Sequence, residues 1–170
     1  MLCLNCDAEM KCEKRTHHYK ECGLDNVFLE GIEVCTCEKC GESEVGIPCV
    51  PDLHRFISRS IVSQKQPLSG KEVRFSRKNP GMAAKRFAEI IAVDKSTLSR
   101  WENENQPIAP PHDRLIRMIY CAIMKIPTGE LKGIVEDEFA GISNEKTEVP
   151  LLNLAIKAWS PKSSGGYVMA

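Results

Sequence analysis

The chain has 170 residues, enough for one ordinary domain or two small ones. Hydrophobic residues make up 42% and charged residues 27%, which is typical of soluble globular proteins. No apolar run approaches the roughly 18–20 residues that a membrane-spanning helix needs. The first residues include acids and cysteines where a signal peptide would have a basic start and an apolar core. We therefore expect a cytoplasmic protein.

The formal net charge is zero, but the charges are segregated along the chain. Residues 1–50 carry five basic and ten acidic residues, whereas residues 71–125 carry eleven basic and six acidic ones. A basic segment between acidic ends suits a polyanionic partner, although the same charges also fit a merely solvated surface.

Residues 1–50 are rich in cysteine and contain short strand-like runs, 27–29 and 32–34, bent at Gly31. Two C-x2-C pairs, Cys3–Cys6 and Cys37–Cys40, are separated by thirty residues. Two such turns brought together by a hairpin supply four thiolates in a tetrahedron, and four thiolates leave no open coordination position. We therefore predict one structural Zn²⁺ ion in a small β-rich module, since a segment this short is hard to fold on its own core.

The surplus cysteines leave alternatives open. A reducing compartment argues against a disulfide framework and for metal or redox use. A redox C-x2-C pair is disfavoured because no βαβ pattern surrounds it. Cys35 could replace Cys37 as a ligand. A second metal could also use the remaining candidate ligands, although solvated histidines and incidental thiols are the favoured interpretation; these candidates are Cys12, Cys22, Cys35, Cys49, His17 and His18.

Residues 51–69 are predicted to be a partly helical connector, and residues 70–127 an all-α domain. The apolar spacing predicts helices at about 71–77, 83–91, 95–103 and 112–125, with prolines at 107, 110 and 111 forming a rigid link. In the second helix Phe87, Ile90 and Ile91 are predicted to face inward. Residues 128–170 form a partly ordered extension, with a short helix over 128–141 and a loose tail from Ser160 to Ala170. The apolar run 151–159 is expected to pack on the helical domain or on a second copy of the chain.

The third predicted helix has the character of a DNA-recognition helix. Asp94 is placed to cap it, and Leu98 and Trp101 share an inward face. Arginine can bond bidentately to guanine, and Ser or Thr can bond bases or phosphates. The outward positions are therefore the candidate DNA-binding residues: Lys95, Ser96, Thr97, Ser99 and Arg100.

Two C-x2-C turns, the second of which reads C-x2-C-G-E, precede a basic segment with L-S-R-W-E at 98–102. This arrangement resembles the MqsA/YgiT-type zinc-finger plus helix-turn-helix family. Residues 70–125 are similar to the wider Xre/Cro-like DNA-binding group. The resemblance implies an antitoxin or a stand-alone regulator that forms a homodimer on a palindromic operator. It also implies that the zinc module can hold a toxin protein. It places the zinc ligands at Cys3, Cys6, Cys37 and Cys40 and the base-reading positions at Ser96 and Arg100.

The chain departs from that family pattern at several positions. Ala83 and Ala84 stand where a cap and a DNA-contacting Gln are usual, so Lys85 and Arg86 are the candidates for that backbone contact. Ala92 and Glu104 stand where glycines are usual.

Three classes of function fit the sequence to different degrees. The leading interpretation is a sequence-specific DNA-binding transcriptional regulator, and the alternative is an interaction or dimerisation adaptor with little specific DNA binding. We expect no enzyme, because the sequence has no phosphate loop, no H-E-x-x-H and no nucleophile–base spacing. His54 and His112 are interpreted as isolated surface residues.

Overall fold

The structure, a computed structural model, describes residues 1–143 and 149–160. Within these ranges it contains four strands, β1 Met10–His18, β2 Val27–Cys37, β3 Ser43–Gly46 and β4 Leu152–Ala155. It also contains six α-helices, α1 Val50–Ser63, α2 Gly70–Lys78, α3 Ala84–Ile90, α4 Lys95–Glu102, α5 Pro110–Ile123 and α6 Thr128–Gly133. Within the same ranges, no helix combines the length and apolar character that crossing a membrane would require.

The chain divides into two compact units. The first unit comprises Met1–Lys20, Asp25–Leu53 and the described part of Leu151–Ala170. The second unit comprises Glu21–Leu24 and His54–Pro150.

Strand β2 is the centre of the sheet in the first unit. β1 runs antiparallel along one edge of β2. The other edge is shared by β3, which is antiparallel to residues 33–36, and β4, which is parallel to residues 27–30. Val27, Leu29 and Ile32 of β2 are fully buried, so this strand also supplies the core of the unit.

The bend predicted at Gly31 is a bulge inside one continuous strand. The pairs Arg15–Ile32 and His17–Leu29 flank it, so two residues of β2 stand opposite one residue of β1. Gly31 has a φ of +76°, which a glycine adopts without steric cost.

The apolar run 151–159 adds a strand to the sheet of the first unit, which was not predicted: β4 pairs with the first half of β2. Its packing on the helical domain or on a second copy stays a prediction. The Trp159 indole Nε1 also donates to the Pro48 carbonyl at 3.1 Å within the same unit. β3 covers only the second half of β2, so the first half would otherwise leave unpaired backbone groups at an edge. The predicted loose tail falls on 161–170, outside the described residues.

The predicted helices of the second unit are present, with small shifts of their ends. α1 lies in the predicted connector. α2 begins one residue early at Gly70, because Ser69 and Glu72 form a capping box in which each side chain bonds the other residue's backbone amide. A Cβ atom on Gly70 would lie 2.3 Å from the Trp101 carbonyl oxygen, so the close approach to α4 needs a glycine here.

Helix α5 corrects the prediction of a proline link. Pro110 and Pro111 form the first turn of the helix rather than a segment before it. A first-turn residue has no intrahelical acceptor for its amide, so proline loses nothing there. The short helix predicted over 128–141 is α6, continued by a π turn and a 3-10 turn to Gly141.

A buried arginine on α5 holds the end of α1 and the segment after it. The Arg117 side chain is 1% exposed, pairs with Asp113 at 2.7 Å and donates to four backbone carbonyls, those of Ile61, Val62, Gln64 and Gln66. The Ile61 and Val62 carbonyls are among those that a helix end leaves without intrahelical partners, and Gln64 and Gln66 belong to the segment after α1. Sequence reasoning counted Arg117 only as one charge of the basic segment.

Candidate metal centre and exposed helix face

The two C-x2-C turns have the same backbone geometry. In each, the backbone N–H of the first cysteine donates a hydrogen bond to the carbonyl of the residue five positions later. Cys3 donates to Ala8 at 2.9 Å and Cys37 to Glu42 at 2.8 Å. The carbonyl of each first cysteine accepts from the residue four positions later, Asp7 or Gly41, at 2.9 Å. Asp7 and Gly41 both have positive φ values, +55° and +76°. Each turn therefore directs its two thiols to one side.

The sheet brings the four predicted ligands together. The four Sγ atoms of Cys3, Cys6, Cys37 and Cys40 all lie within 4.8 Å of one another. Three Sγ–Sγ distances are 3.5 Å, those of Cys3–Cys40, Cys6–Cys37 and Cys6–Cys40. A zinc ion with Zn–S bonds of about 2.3 Å would place its sulfurs about 3.8 Å apart. The four side chains could therefore hold a metal ion with little rearrangement.

In both turns a backbone amide lowers the pKa of the second cysteine, but the net shift differs between the two. The Glu42 backbone amide lowers the pKa of Cys40 to about 6, against the opposing effect of burial. At Cys6 the Ala8 amide lowers the pKa, but burial and the neighbouring thiols outweigh it and raise the pKa to about 12. Cys40 therefore ionises before Cys6, and a bound cation would favour the thiolate form of Cys6 as well.

The prediction of reduced thiols is wrong for one pair. Cys12 and Cys35 form a disulfide bond, with an S–S distance of 1.99 Å. They are direct partners in the β1–β2 register, which brings their Cβ atoms within bonding range. The bond removes both as alternative ligands in this structure, whereas Cys22 and Cys49 form no disulfide bond. In the described part of the chain, the four-cysteine cluster is the one group of three or more side chains close enough to share a metal.

The histidines considered for a second metal are engaged otherwise. The His18 Nε2 lies 2.7 Å from the Asp25 carbonyl oxygen, and its ring stacks on Phe28 at 4.3 Å. The interpretation of His54 and His112 as isolated surface residues is also wrong. His54 Nδ1 lies 3.0 Å from Asn79 Oδ1, and the ring of His112 is 5.1 Å from that of Trp101.

In the second unit, α3 and α4 are joined by a four-residue turn. Phe87 and Ala88 of α3 are buried, as are Leu98 and Trp101 of α4. Ile90 was predicted to face inward, but it is 38% exposed because it lies at the edge of the face that the buried Phe87, Ala88 and Ile91 form. Asp94 occupies the N-cap position of α4, yet its side chain makes no capping hydrogen bond, so that part of the prediction is wrong.

The outward face of α4 carries the candidate DNA contacts. Lys95, Ser96, Ser99 and Arg100 are exposed, and Thr97 is half-buried. Lys95 with Ser99 and Ser96 with Arg100 are i, i+4 pairs, so the four exposed residues share one face. The Arg100 guanidinium has no hydrogen bond or ion pair with any residue in the described ranges. On α3, Lys85 and Arg86 are exposed, and Arg86 pairs with Glu89 at 3.4 Å.

An ion pair that sequence reasoning missed fixes α4 to α2. Arg77 donates to both carboxylate oxygens of Glu102, at 2.6 and 2.9 Å, and both side chains are at most 10% exposed. Arg77 also donates to the Met82 carbonyl at 3.1 Å. The only signal in the sequence is a charge at an inward position of each helix, which does not reveal the partner.

The two positions where the family resemblance would place glycine both have left-handed backbones. Ala92, in the α3–α4 turn, has a φ of +54°, and Glu104, after α4, has a φ of +59°. Both conformations cost a residue with a Cβ more than they cost glycine.

Comparisons with known proteins find no relative that carries the four-cysteine cluster or the exposed face of α4. The chain was compared with family models, with curated proteins and with solved structures. None of the three comparisons finds a match.

Proposed function

We propose that this protein is a sequence-specific DNA-binding transcriptional regulator in which α3 and α4 form a helix-turn-helix. The observation that carries the proposal is the exposed face of α4, on which Arg100 has no partner among the described residues while Leu98 and Trp101 hold the helix from behind. In this class of protein, the second helix lies in the major groove and contacts base edges.

The chemistry of that face suits DNA. An arginine can donate two hydrogen bonds to guanine O6 and N7. Ser96 and Ser99 can bond bases or phosphates, and Lys95 supplies a charge to the phosphate backbone. Lys85 and Arg86 on α3 are proposed as further backbone contacts.

We propose one structural Zn²⁺ ion for the four-cysteine cluster, with no catalytic activity, because four thiolates fill the coordination shell. The family resemblance adds a homodimer on a palindromic operator and a toxin as a partner of the metal-bearing module. A cytoplasmic location is proposed separately, from the composition of the chain. A small RNase-like gene beside this one would favour the antitoxin role over that of a stand-alone regulator.

The test is binding of the zinc-loaded chain to a labelled fragment of its own promoter, in competition with unrelated DNA. Arg100→Ala is expected to weaken specific binding by roughly 1–3 kcal/mol, as the loss of a guanine contact would. Arg15→Ala, which removes an exposed arginine of β1, is the matched control and should bind like the wild type.

The adaptor alternative predicts a different result. A DNA-binding protein loses affinity steeply as salt rises, because phosphate neutralisation releases counterions. If the wild type shows no preference for its promoter over unrelated DNA at any salt concentration, the regulator proposal fails and the adaptor is favoured.

A further inference from the structure

The Cys12–Cys35 disulfide lies beside the metal cluster. Cys35 precedes Cys37 by two residues in β2, so their side chains are on the same face of the strand. Cys3, Met10, Cys35 and Cys37 form one buried cluster. The sulfur of a disulfide and the sulfur of a predicted metal ligand are therefore neighbours in one small core.

The same bond ties together the two strands that position the C-x2-C turns. β1 begins four residues after Cys6, and β2 ends at Cys37 itself. In the β1–β2 register, Met10 pairs with Cys37 and Cys12 pairs with Cys35. The covalent link is therefore two residues away, along both strands, from the point where the second turn begins.

The two sulfurs differ in accessibility. Cys12 is exposed, whereas Cys35 is only 5% exposed. An external thiolate can therefore approach the Cys12 sulfur from solvent, with Cys35 as the leaving group. Attack along this path is the ordinary mechanism of thiol–disulfide exchange.

We propose that Cys12–Cys35 is an exchangeable disulfide that accepts electrons from a dithiol, and that its reduction weakens the hold of the four-cysteine cluster on its metal. One thiolate of the dithiol attacks Cys12 Sγ, which forms a mixed disulfide and expels the Cys35 thiolate. The second thiol of the reductant then closes its own disulfide and releases the Cys12 thiolate. Both released thiolates take up a proton, so two electrons and two protons pass to the protein.

The effect on the metal follows from chain entropy. The bond joins residues 23 positions apart, and most of β1 and β2 lies inside that loop. A cross-link of this kind restricts the unfolded chain, and metal binding to a small module is coupled to its folding. In the reduced module, a larger part of the metal's binding free energy offsets the entropy lost on ordering the loop than in the oxidised module. We expect reduction to weaken zinc binding by at least about tenfold.

The experiment measures zinc affinity on the full chain, by competition with a chromophoric chelator, for the oxidised protein and for protein reduced with a phosphine. A parallel sample is equilibrated with a small dithiol and its oxidised form, trapped by alkylation and weighed by mass spectrometry. We expect the Cys12–Cys35 thiols to appear as the dithiol fraction rises, and the reduced protein to release zinc more readily. Cys49→Ser, which changes an exposed free cysteine, should keep this response.

The double variant Cys12→Ser/Cys35→Ser should bind zinc like the reduced wild type and should be indifferent to the phosphine. Equal or tighter zinc binding by the reduced wild type would overturn the proposal, whether or not the double variant folds. The proposal would also be overturned if Cys12 and Cys35 were both alkylated in protein equilibrated with the fully oxidised dithiol, because the disulfide would then not re-form by exchange. DNA binding through α4 is measured separately, so a failure of either proposal can be told from a failure of the other.

Discussion

Ala92 gives a test of backbone strain at a single residue. Its left-handed φ of +54° is unfavourable for a residue with a Cβ, and it is exposed, so a substitution loses no packing. Ala92→Gly is expected to raise the free energy of unfolding by about 0.5–1 kcal/mol, the relief of strain less the extra freedom of glycine in the unfolded chain.

The measurement is urea unfolding of the zinc-loaded protein, followed by Trp101 fluorescence in a Trp159→Phe background. Ala122→Gly is the matched control, since Ala122 is exposed and helical in the last turn of α5, where glycine should cost up to about 1 kcal/mol relative to alanine. If Ala92→Gly and Ala122→Gly lower the free energy of unfolding by the same amount, Ala92 is not strained.

Glu72 provides a second test, through pH. Burial raises the pKa of its carboxyl above the ordinary value of 4.5, despite bonds from the Ser69 amide and hydroxyl and from Gln64 that favour the charged form. The folded state therefore holds this proton more tightly than the unfolded chain does. The resulting stabilisation is complete below pH 4.5 and is lost as the pH rises through the raised value.

Glu72→Gln keeps an oxygen for the same donors but cannot titrate. We expect the free energy of unfolding of the wild type, relative to this variant, to fall as the pH rises above 4.5 and through the raised pKa of Glu72. Parallel stability curves for the two proteins over that range would contradict the raised pKa. The same Trp101 signal follows the unfolding.

Among the elements, the attachment of α4 to α2 decides whether the exposed face of α4 is held in place. Arg77 and Glu102 are buried and bidentate, so removing one partner leaves an uncompensated charge. Glu102→Gln is expected to cost roughly 3 kcal/mol of stability. It should also weaken promoter binding, although Glu102 does not lie on the exposed face.

Arg74→Met is the control for that pair, because Arg74 is 39% exposed and reaches Glu102 only at 3.4 Å. Its effect on stability should stay within about 0.5 kcal/mol, as for an ordinary surface ion pair. A Glu102→Gln variant with wild-type stability and promoter affinity would show that the ion pair does not position α4.

Elements with a strong local signal were predictable from the sequence. The spacing of Phe87, Leu98 and Trp101 defined α3 and α4, and the two C-x2-C pairs identified the cluster that the sheet assembles. β4 was not predictable as a strand of the sheet, because its place depends on which edge of β2 remains open, more than a hundred residues away in sequence.

The missed side-chain contacts have the same physical origin. Arg117 binds carbonyls about fifty residues away, and Cys12 and Cys35 are paired only by the β1–β2 register. The sequence shows that a charge or a thiol is present, but tertiary structure chooses its partner. Ala92 and Glu104 were recognised only as departures from a pattern, and their strain is visible only in the backbone angles.

At the scale of the whole molecule, the two units should depend differently on the metal. The first unit has a small core built around β2 and the four-cysteine cluster, and a module of this size usually needs its metal to fold. The second unit has its own core, including Phe87, Leu98, Ile116 and Tyr120, and contains none of the four cysteines. Removal of the metal should therefore unfold the first unit and leave the second folded.

The two tryptophans allow this to be measured, because Trp159 lies in the first unit and Trp101 in the second, and both are buried. With a zinc chelator, the Trp101→Phe variant should show a red shift of Trp159 emission as that indole becomes exposed. The Trp159→Phe variant, which reports Trp101, should show no shift until urea is added. A shift of Trp101 emission on chelation alone would mean that the helical unit also requires the metal, and an unchanged Trp159 would mean that the β-sheet unit is stable without it.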